Sequence, residues 1–179
     1  VGEIVVVSMG PQRVQKVIRE GLSKGADRGI HIETESLKEV DPLYTSKVFA
    51  ETLSDENFDL ILSGLQSDDS GMGQTGVLLG ELLNMSTATL AIETDIDLNK
   101  IRVKRELESG WFQWVELDSP FKSCKSLSSK CSLISCSRTL LSNFHVKTTP
   151  RGIPAARSLL TRLRAVLIFS LDIRLENSL

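Results

Sequence analysis

DLILSGLQSDDSGMGQTGVLLGELLN, the stretch from Asp59 to Asn84, contains three successive patterns that together set the fold class. The apolar run Leu60–Leu62 predicts a short buried strand, and a loop rich in glycine and acidic residues follows it. From about Gln74 onward the apolar residues fall at helical spacing, at Val77, Leu78 and Leu82. The stretch therefore predicts a strand, a loop and a helix in succession.

The loop between this strand and helix is the candidate binding site. In an open α/β sheet, a loop that leaves the carboxyl end of a strand and enters a helix is where ligands bind. The first-turn N–H groups of that helix lack intrahelical partners and favour a phosphate. Gly71, Gly73 and Gly76 would let the backbone approach an anion closely, and Gln74 and Thr75 would add an amide and a hydroxyl. The alternative is an ordinary glycine-containing surface turn.

Length and composition fit one globular domain with a core. The chain has 179 residues, of which 41% are hydrophobic and 25% charged. It contains no apolar run of about 18 residues or more and no signal-peptide pattern, so we expect no membrane span. We expect no nucleic-acid partner either.

The charge of the chain changes sign near Pro120. Residues 1–120 hold 11 Lys and Arg against 21 Asp and Glu, whereas residues 121–179 hold 10 against 2. All three cysteines, Cys124, Cys131 and Cys136, lie in the second region. We therefore treat 1–120 as a domain and 121–179 as a basic tail rich in Ser, Cys and Leu.

The first region alternates strand and helix patterns. In order, the predicted elements are a strand at Ile4–Ser8, a helix from Pro11 to about Lys24, a strand at Arg28–Glu33, a helix that opens at Asp41-Pro42 with Val48, Phe49 and Leu53 on one side, and the strand at Asp59–Ser63. This order predicts a parallel sheet with helices on both faces. A strand at Thr87–Thr94 follows, and Ile101–Leu107 and Trp111–Leu117 predict a hairpin around Glu108-Ser109-Gly110.

Four segments resemble one family in order and spacing: GEIVVVSMGP, EGLSKGADRGIHIE, FDLILSGLQSDDSGMGQTG and IRVKRELESGWFQWVELDSP. Together they resemble the β subunit of electron-transfer flavoprotein over residues 2–120. The resemblance implies a three-layer α/β domain of the adenine nucleotide hydrolase-like type with a mostly parallel sheet. It implies AMP in this subunit, or a second FAD in electron-bifurcating members, and a partner α subunit that carries a redox-active FAD.

The resemblance also implies a physiological role. The heterodimer would take electrons from flavin dehydrogenases, such as the acyl-CoA dehydrogenases of fatty acid oxidation, and pass them to a quinone oxidoreductase. It would be an electron carrier and not an enzyme. We would expect it in the cytoplasm of a prokaryote or in the mitochondrial matrix of a eukaryote.

The family's AMP-contacting positions carry over onto one loop and one strand end. They are Met9, Gly64, Gln66, Asp69, Ser70, Gly71, Gly73, Gln74 and Thr75. Gly73 stands where many members have asparagine, and Ser70-Gly71 replaces part of an acidic run. Thr75-Gly76-Val77 favours AMP over a second FAD, because bifurcating members tend to carry Val-Gly-Pro after the glutamine.

Both ends of the chain depart from the family. Members usually begin about fifty residues earlier with a strand and a helix, so we expect a truncated chain. After Pro120 the family has an apolar strand that Phe121–Cys124 does not supply, so we expect that the tail does not join the sheet in the family manner. A shift of reading frame or a divergent extension would explain the tail. Within an extension, Ala155–Leu175 is compatible with a basic amphipathic helix.

Other functions have weaker support from the residues. His31 lies in a strand-like run without a nucleophile or paired carboxylate beside it, so we assign no catalytic residues. The three cysteines lack zinc-ligand spacing, and Asp68-Asp69 is compatible with a solvated loop, so we assign no metal. The alternatives are a stand-alone adenine-nucleotide-binding domain, resembling a stress-response protein or an ATP pyrophosphatase, or a fragment without function.

Overall fold

The computed structural model of the chain describes residues 2–35, 41–56, 58–67, 71–96, 100–118, 132–136 and 164–168. These residues form one eight-stranded sheet and three α-helices. The strands are β1 (Glu3–Gly10), β2 (Arg28–Glu33), β3 (Leu60–Gly64), β4 (Ser86–Ile96), β5 (Lys100–Glu106), β6 (Phe112–Asp118), β7 (Ser132–Cys136) and β8 (Arg164–Ile168). The helices are α1 (Gln15–Ser23), α2 (Pro42–Ser54) and α3 (Thr75–Leu82), and short 3₁₀ turns cover Gln12–Val14 and Glu108–Gly110.

The sheet is mostly parallel and becomes antiparallel at one end. The strand order is β2-β1-β8-β3-β7-β4-β5-β6, and only the β4–β5 and β5–β6 pairs are antiparallel. In β1 the consecutive residues Val5, Val6 and Val7 are all buried. A strand that is covered on both faces needs such a continuous apolar run. The predicted mostly parallel α/β sheet is therefore confirmed.

The helices lie on both faces of the sheet. Neighbouring residues of a strand point to opposite faces. On the Val6 face, a Cβ built on Gly21 of α1 would lie 2.8 Å from Val6 Cγ2. On the other face, Phe49 of α2 and Leu79 of α3 share a buried cluster with Val5. The three-layer arrangement is therefore confirmed.

Local signals place the ends of two helices where the sequence predicts them. The carboxylate of Asp41 accepts a hydrogen bond from the backbone N–H of Tyr44 at 2.6 Å, and Pro42 is the first residue of α2. After α1, Gly25 adopts a φ of 109° that suits glycine and ends the helix. The described helices are all too short or too polar to cross a bilayer.

The predicted hairpin is confirmed as β5 and β6. Its turn contains two left-handed residues, Ser109 with φ 59° and Gly110 with φ 77°. The N–H of Leu107 donates to the carbonyl of Trp111 at 2.8 Å and closes the turn. The hairpin extends the parallel sheet through β4.

The tail contributes two strands to the sheet, which the sequence analysis did not predict. β7 pairs in parallel with β3 and β4, and β8 pairs in parallel with β1 and β3. Ile134 in β7 and Val166 in β8 are buried, so both strands belong to the middle of the sheet. Whether a shift of reading frame or a divergent extension explains the tail's composition is not tested by this structure and stays a prediction.

The sequence analysis did not predict β7 and β8 because both strands are short. Each spans five residues, and so short an apolar run cannot be told from part of a helix by periodicity. Residues 164–168 form a strand within the stretch interpreted as an amphipathic helix, and the rest of Ala155–Leu175 lies outside the described residues. Cys124 and Cys131 also lie outside them.

Candidate functional site

The loop between β3 and α3 lies at the carboxyl edge of the parallel sheet. The carboxyl ends of β1, β8, β3 and β7 meet at this edge because the strands are parallel. The chain leaves β1 through α1 toward β2 on one side of β8, and it leaves β3 through α3 toward β4 on the other side. Connections that diverge in this way create the crevice in which open α/β sheets bind ligands.

Two glycines give the loop left-handed backbone positions. Gly71 has a φ of 60° and Gly73 a φ of 62°. A Cβ on Gly73 would be 3.5 Å from the carbonyl oxygen of Leu65, which is ordinary contact, so conformation and not space restricts this position. Asparagine tolerates this region better than most residues. Glycine adopts this left-handed conformation with less strain than other residues.

The start of α3 presents backbone N–H groups that the side chain of Gln74 does not cap. The side chain of Gln74, at the helix start, makes no capping hydrogen bond, and the first turn contains no acidic residue. The first bond within the helix runs from the N–H of Leu78 to the carbonyl of Gln74 at 3.0 Å. The N–H groups of residues 75–77 precede it and carry partial positive charge. This arrangement favours an anion in front of the helix.

Ser46 in α2 fixes the position of that first turn. Its hydroxyl oxygen lies 2.9 Å from the carbonyl oxygen of Thr75 and 2.6 Å from that of Pro42. Its side chain is fully buried. The sequence analysis did not single out Ser46. The pattern that could have indicated it is the position of this serine three residues before Phe49, on the apolar stripe of α2.

Close packing holds the other end of α3 against the sheet. A Cβ built on Gly80 would lie 2.2 Å from the Oγ1 of Thr87 in β4. The carbonyl of Gly80 accepts a hydrogen bond from the N–H of Met85 at 2.8 Å. The helix that would bind the anion is therefore fixed at both ends by neighbouring elements.

Met9 lies at the same edge of the sheet but not on the loop. β8 separates β1 from β3, so the strand that carries Met9 is about 9.5 Å from β3. The Met9 side chain is buried in the cluster that contains Leu79. Beside it, the Nε2 of His31 lies 2.8 Å from the carbonyl oxygen of Gly10, so His31 has a structural contact at the end of β1.

Six of the nine predicted site residues lie along one continuous segment, from the last residue of β3 through the loop to the first residue of α3. These are Gly64, Gln66, Gly71, Gly73, Gln74 and Thr75. Asp69 and Ser70 lie outside the described residues, as does Asp68. Among the described side chains, no group of three or more His, Cys, Asp or Glu is placed to hold a metal ion.

Comparison with known proteins gives one family. The family model described as Electron transfer flavoprotein domain matches residues 1–121. The Electron transfer flavoprotein subunit beta of Dictyostelium discoideum is 41% identical over 108 residues, which are 60% of this chain and 42% of that protein. The proteins of the same name from Bradyrhizobium diazoefficiens and Bos taurus are 39% identical over 118 residues and 38% identical over 112 residues. These cover 66% and 62% of this chain and 46% and 44% of the relatives.

The matched region contains the candidate loop and the strand and helix on either side of it. Residues 1–121 include β1 to β6 and the loop between β3 and α3. The chain spans less than half of the length of these curated relatives. Because the family model covers more than half of the chain, the protein belongs to the electron transfer flavoprotein domain family, and the relatives that it matches are β subunits.

Proposed function

We propose that the chain acts as the β subunit of a heterodimeric electron-transfer flavoprotein and binds AMP at the loop between β3 and α3. The α subunit would carry the redox-active FAD. The heterodimer would accept electrons from flavin dehydrogenases and deliver them to a quinone oxidoreductase. The family match supports the subunit role and favours it over a stand-alone adenine-nucleotide-binding domain.

One observation carries the nucleotide proposal: α3 begins at the carboxyl edge of the sheet, and the side chain of Gln74 leaves its first N–H groups uncapped. Gly71 and Gly73 keep side chains away from two left-handed positions of the loop. Backbone N–H groups can therefore approach a phosphate without a side chain between them. These features fit the phosphate of AMP.

The chain's own residues would bind and orient the nucleotide. No Lys or Arg lies between Asp59 and Asn84, so within this stretch the phosphate charge would be balanced by backbone N–H groups and the helix dipole. Gln74 would add an amide and Thr75 a hydroxyl at the first turn. Ser46 would hold the carbonyl of Thr75 and so keep that turn in place.

AMP would be a structural ligand here, since it has no redox chemistry of its own. Thr75-Gly76-Val77 supports AMP over a second FAD in this subunit. The electron-carrying group would be the FAD of the α subunit.

Co-expression of the chain with an α subunit tests the proposal. We expect a heterodimer that releases AMP in an equimolar amount on heat denaturation, and whose flavin is bleached by a reduced flavin dehydrogenase. Gly73→Asn should retain AMP, because asparagine tolerates the left-handed conformation, whereas Gly73→Val should lose it.

The two parts of the proposal fail separately in this experiment. A flavin-containing heterodimer without AMP would refute the nucleotide site and leave the subunit role intact. Failure of the folded chain to bind an α subunit would refute the subunit role.

A further inference from the structure

β8 fills a central position in the sheet and joins two parts of it that no other described strand connects. It pairs in parallel with β1 on one side and with β3 on the other. Val166 and Ile168 pack in the buried cluster beneath α2 and α3, and Leu167 packs against the buried cluster on the opposite face. β8 therefore holds β1 and β3 together through both layers of the core.

The start of β8 is held by Asp59, which directly precedes β3. The N–H of Arg164 donates to Asp59 Oδ2 at 2.9 Å, and the N–H of Asp59 donates to the carbonyl of Arg164 at 2.9 Å. The carboxylate thus accepts a backbone N–H at a point where β3, which begins at Leu60, has not yet started. The two bonds to one residue fix the register, because a shift of one position along the strand would break both.

The same two-bond arrangement occurs at the start of β2, where it holds β1. Asp27 Oδ2 accepts from the N–H of Ile4 at 2.8 Å, and the N–H of Asp27 donates to the carbonyl of Ile4 at 2.9 Å. Asp27 directly precedes β2, as Asp59 precedes β3. β8 is therefore held at its start by the same kind of contact that holds β1.

The entrance to the position between β1 and β3 is acidic, and β8 begins with a base. Arg164 pairs with Glu3 on the β1 side and bonds to Asp59 on the β3 side. The Arg164 Nε lies 3.9 Å from Glu3 Oε2. The four following residues, Ala165–Ile168, are apolar. Backbone pairing inside the strand would accept any apolar segment, so the charge at its start is what favours residues 164–168 as the occupant.

The other end of β8 lies beside the candidate nucleotide site. Ile168, its last residue, is paired with Val7 of β1 and with Ser63 of β3, one residue before the end of that strand. Ile168 also shares a buried cluster with Met9 and with Leu79 of α3. β8 therefore sets the distance between the strand that carries Met9 and the strand that leads into the candidate loop.

We propose that the insertion of residues 164–168 between β1 and β3 is coupled to nucleotide binding, and that Asp59 is the residue that positions the inserted strand. When β8 leaves its place, β1 and β3 lose their common partner and the crevice between them loses its shape. A nucleotide that binds only the assembled site therefore stabilises the inserted strand. The coupling rests on the proposed function, whereas the role of Asp59 does not.

Hydrogen exchange of the full chain tests the role of Asp59. Asp59→Ala removes the carboxylate acceptor, so exchange at residues 164–168 should become roughly three- to tenfold faster. Asp59→Asn keeps an oxygen acceptor and should restore most of the protection. Asp27→Ala is the matched control, because it removes the same contact at β1 and should leave exchange at residues 164–168 unchanged. Equal acceleration in Asp59→Ala and Asp27→Ala, or none in either, would overturn the role of Asp59.

Exchange of the unchanged chain with and without AMP tests the coupling. At an AMP concentration of about a hundredfold the dissociation constant, exchange at residues 164–168 should slow by up to about a hundredfold. β6 is the comparison segment, because it lies at the far end of the sheet and its opening leaves β1, β8 and β3 paired. Exchange in β6 should slow less.

The outcomes separate the coupling from the proposed function. If AMP slowed exchange at the loop residues 71–77 but not at residues 164–168, the coupling would be refuted and the nucleotide site would stand. Equal slowing at residues 164–168 and in β6 would indicate general stabilisation and would also refute the coupling. If AMP changed exchange in none of these segments, the nucleotide site itself would be refuted, and the coupling with it.

Discussion

The guanidinium of Arg28 forms a two-point hydrogen bond with the carboxylate of Glu56, at 2.9 Å from Nη1 to Oε1 and 2.6 Å from Nη2 to Oε2. Its Nε donates to Glu3 Oε1 at 3.1 Å. Arg28 thereby joins the start of β2 to the start of β1 and to the chain just after α2. Planar two-point geometry makes such a pair stronger than a typical surface ion pair.

Glu56→Gln should lower the free energy of unfolding by about 1 kcal/mol at neutral pH, because it removes the charge from this partly exposed pair. The matched control is Glu20→Gln. Glu20 pairs with Lys24 on the exposed surface of α1, where such a pair contributes little. Urea titrations of the two variants and of the unchanged chain measure the differences in the free energy of unfolding. Equal effects of the two substitutions would contradict the role of Arg28.

The contribution of Glu56 should disappear in acid. The hydrogen bond from Arg28 holds the pKa of the Glu56 carboxyl below its usual value, although partial burial acts in the opposite direction. A pKa lowered by folding stabilises the protein above the unfolded value of about 4.3 and loses this effect as the pH falls through the folded value. The stability difference between the unchanged chain and Glu56→Gln should therefore shrink below about pH 4.3. If this stability difference grew as the pH fell, the pKa of Glu56 would be raised and not lowered by folding.

Thr75→Val should weaken AMP binding by roughly tenfold or more in the heterodimer with the α subunit. In the proposed site it would remove one hydroxyl donor to a charged phosphate oxygen, a bond worth about 1.5–3 kcal/mol. Thr75→Ser keeps the hydroxyl and should bind AMP nearly as well. Adenosine lacks the phosphate and should be indifferent to both changes. Isothermal titration with AMP and adenosine measures these affinities, and equal weakening of the two ligands would refute a phosphate contact.

Ser46→Ala should lower both the stability of the fold and the affinity for AMP. The change removes the buried hydroxyl at the Thr75 carbonyl, so we expect a loss of about 1–2 kcal/mol in unfolding free energy and looser positioning of the first turn of α3. Ser54→Ala is the control, because its hydroxyl bonds to Glu51 within the exposed end of α2. Denaturant titration and AMP titration check the two effects. Unchanged AMP affinity in a folded Ser46→Ala variant would refute the positioning role.

Gly80→Ala should destabilise the fold by roughly 1–3 kcal/mol, because the added Cβ would lie 2.2 Å from Thr87 Oγ1. Thr87→Ala removes that atom and should relieve part of the loss in the double variant. A double-mutant cycle in urea measures the coupling between the two sites. Additive effects would show that the two residues do not limit the approach of α3 to β4.

Much of the first region follows from local sequence patterns. The valine run of β1 predicts a strand buried on both faces, and Asp41-Pro42 predicts the start of α2. The glycines before Gln74 predict a loop that the backbone can bring close to an anion, and Gly71 and Gly73 have the left-handed angles that this requires. These features depend on residues within a few positions of one another, so the chain specifies them before any long-range contact forms.

Only the tertiary structure decides which strands lie side by side and which polar groups meet. β8 takes its position between β1 and β3 through backbone pairing, which any short apolar segment can make. Ser46 reaches the Thr75 carbonyl across 29 residues of sequence, and Arg28 reaches Glu56 across 28. Strand register and polar contacts between distant segments depend on how the whole sheet and its helices pack, and the residues near each partner in sequence do not specify that packing.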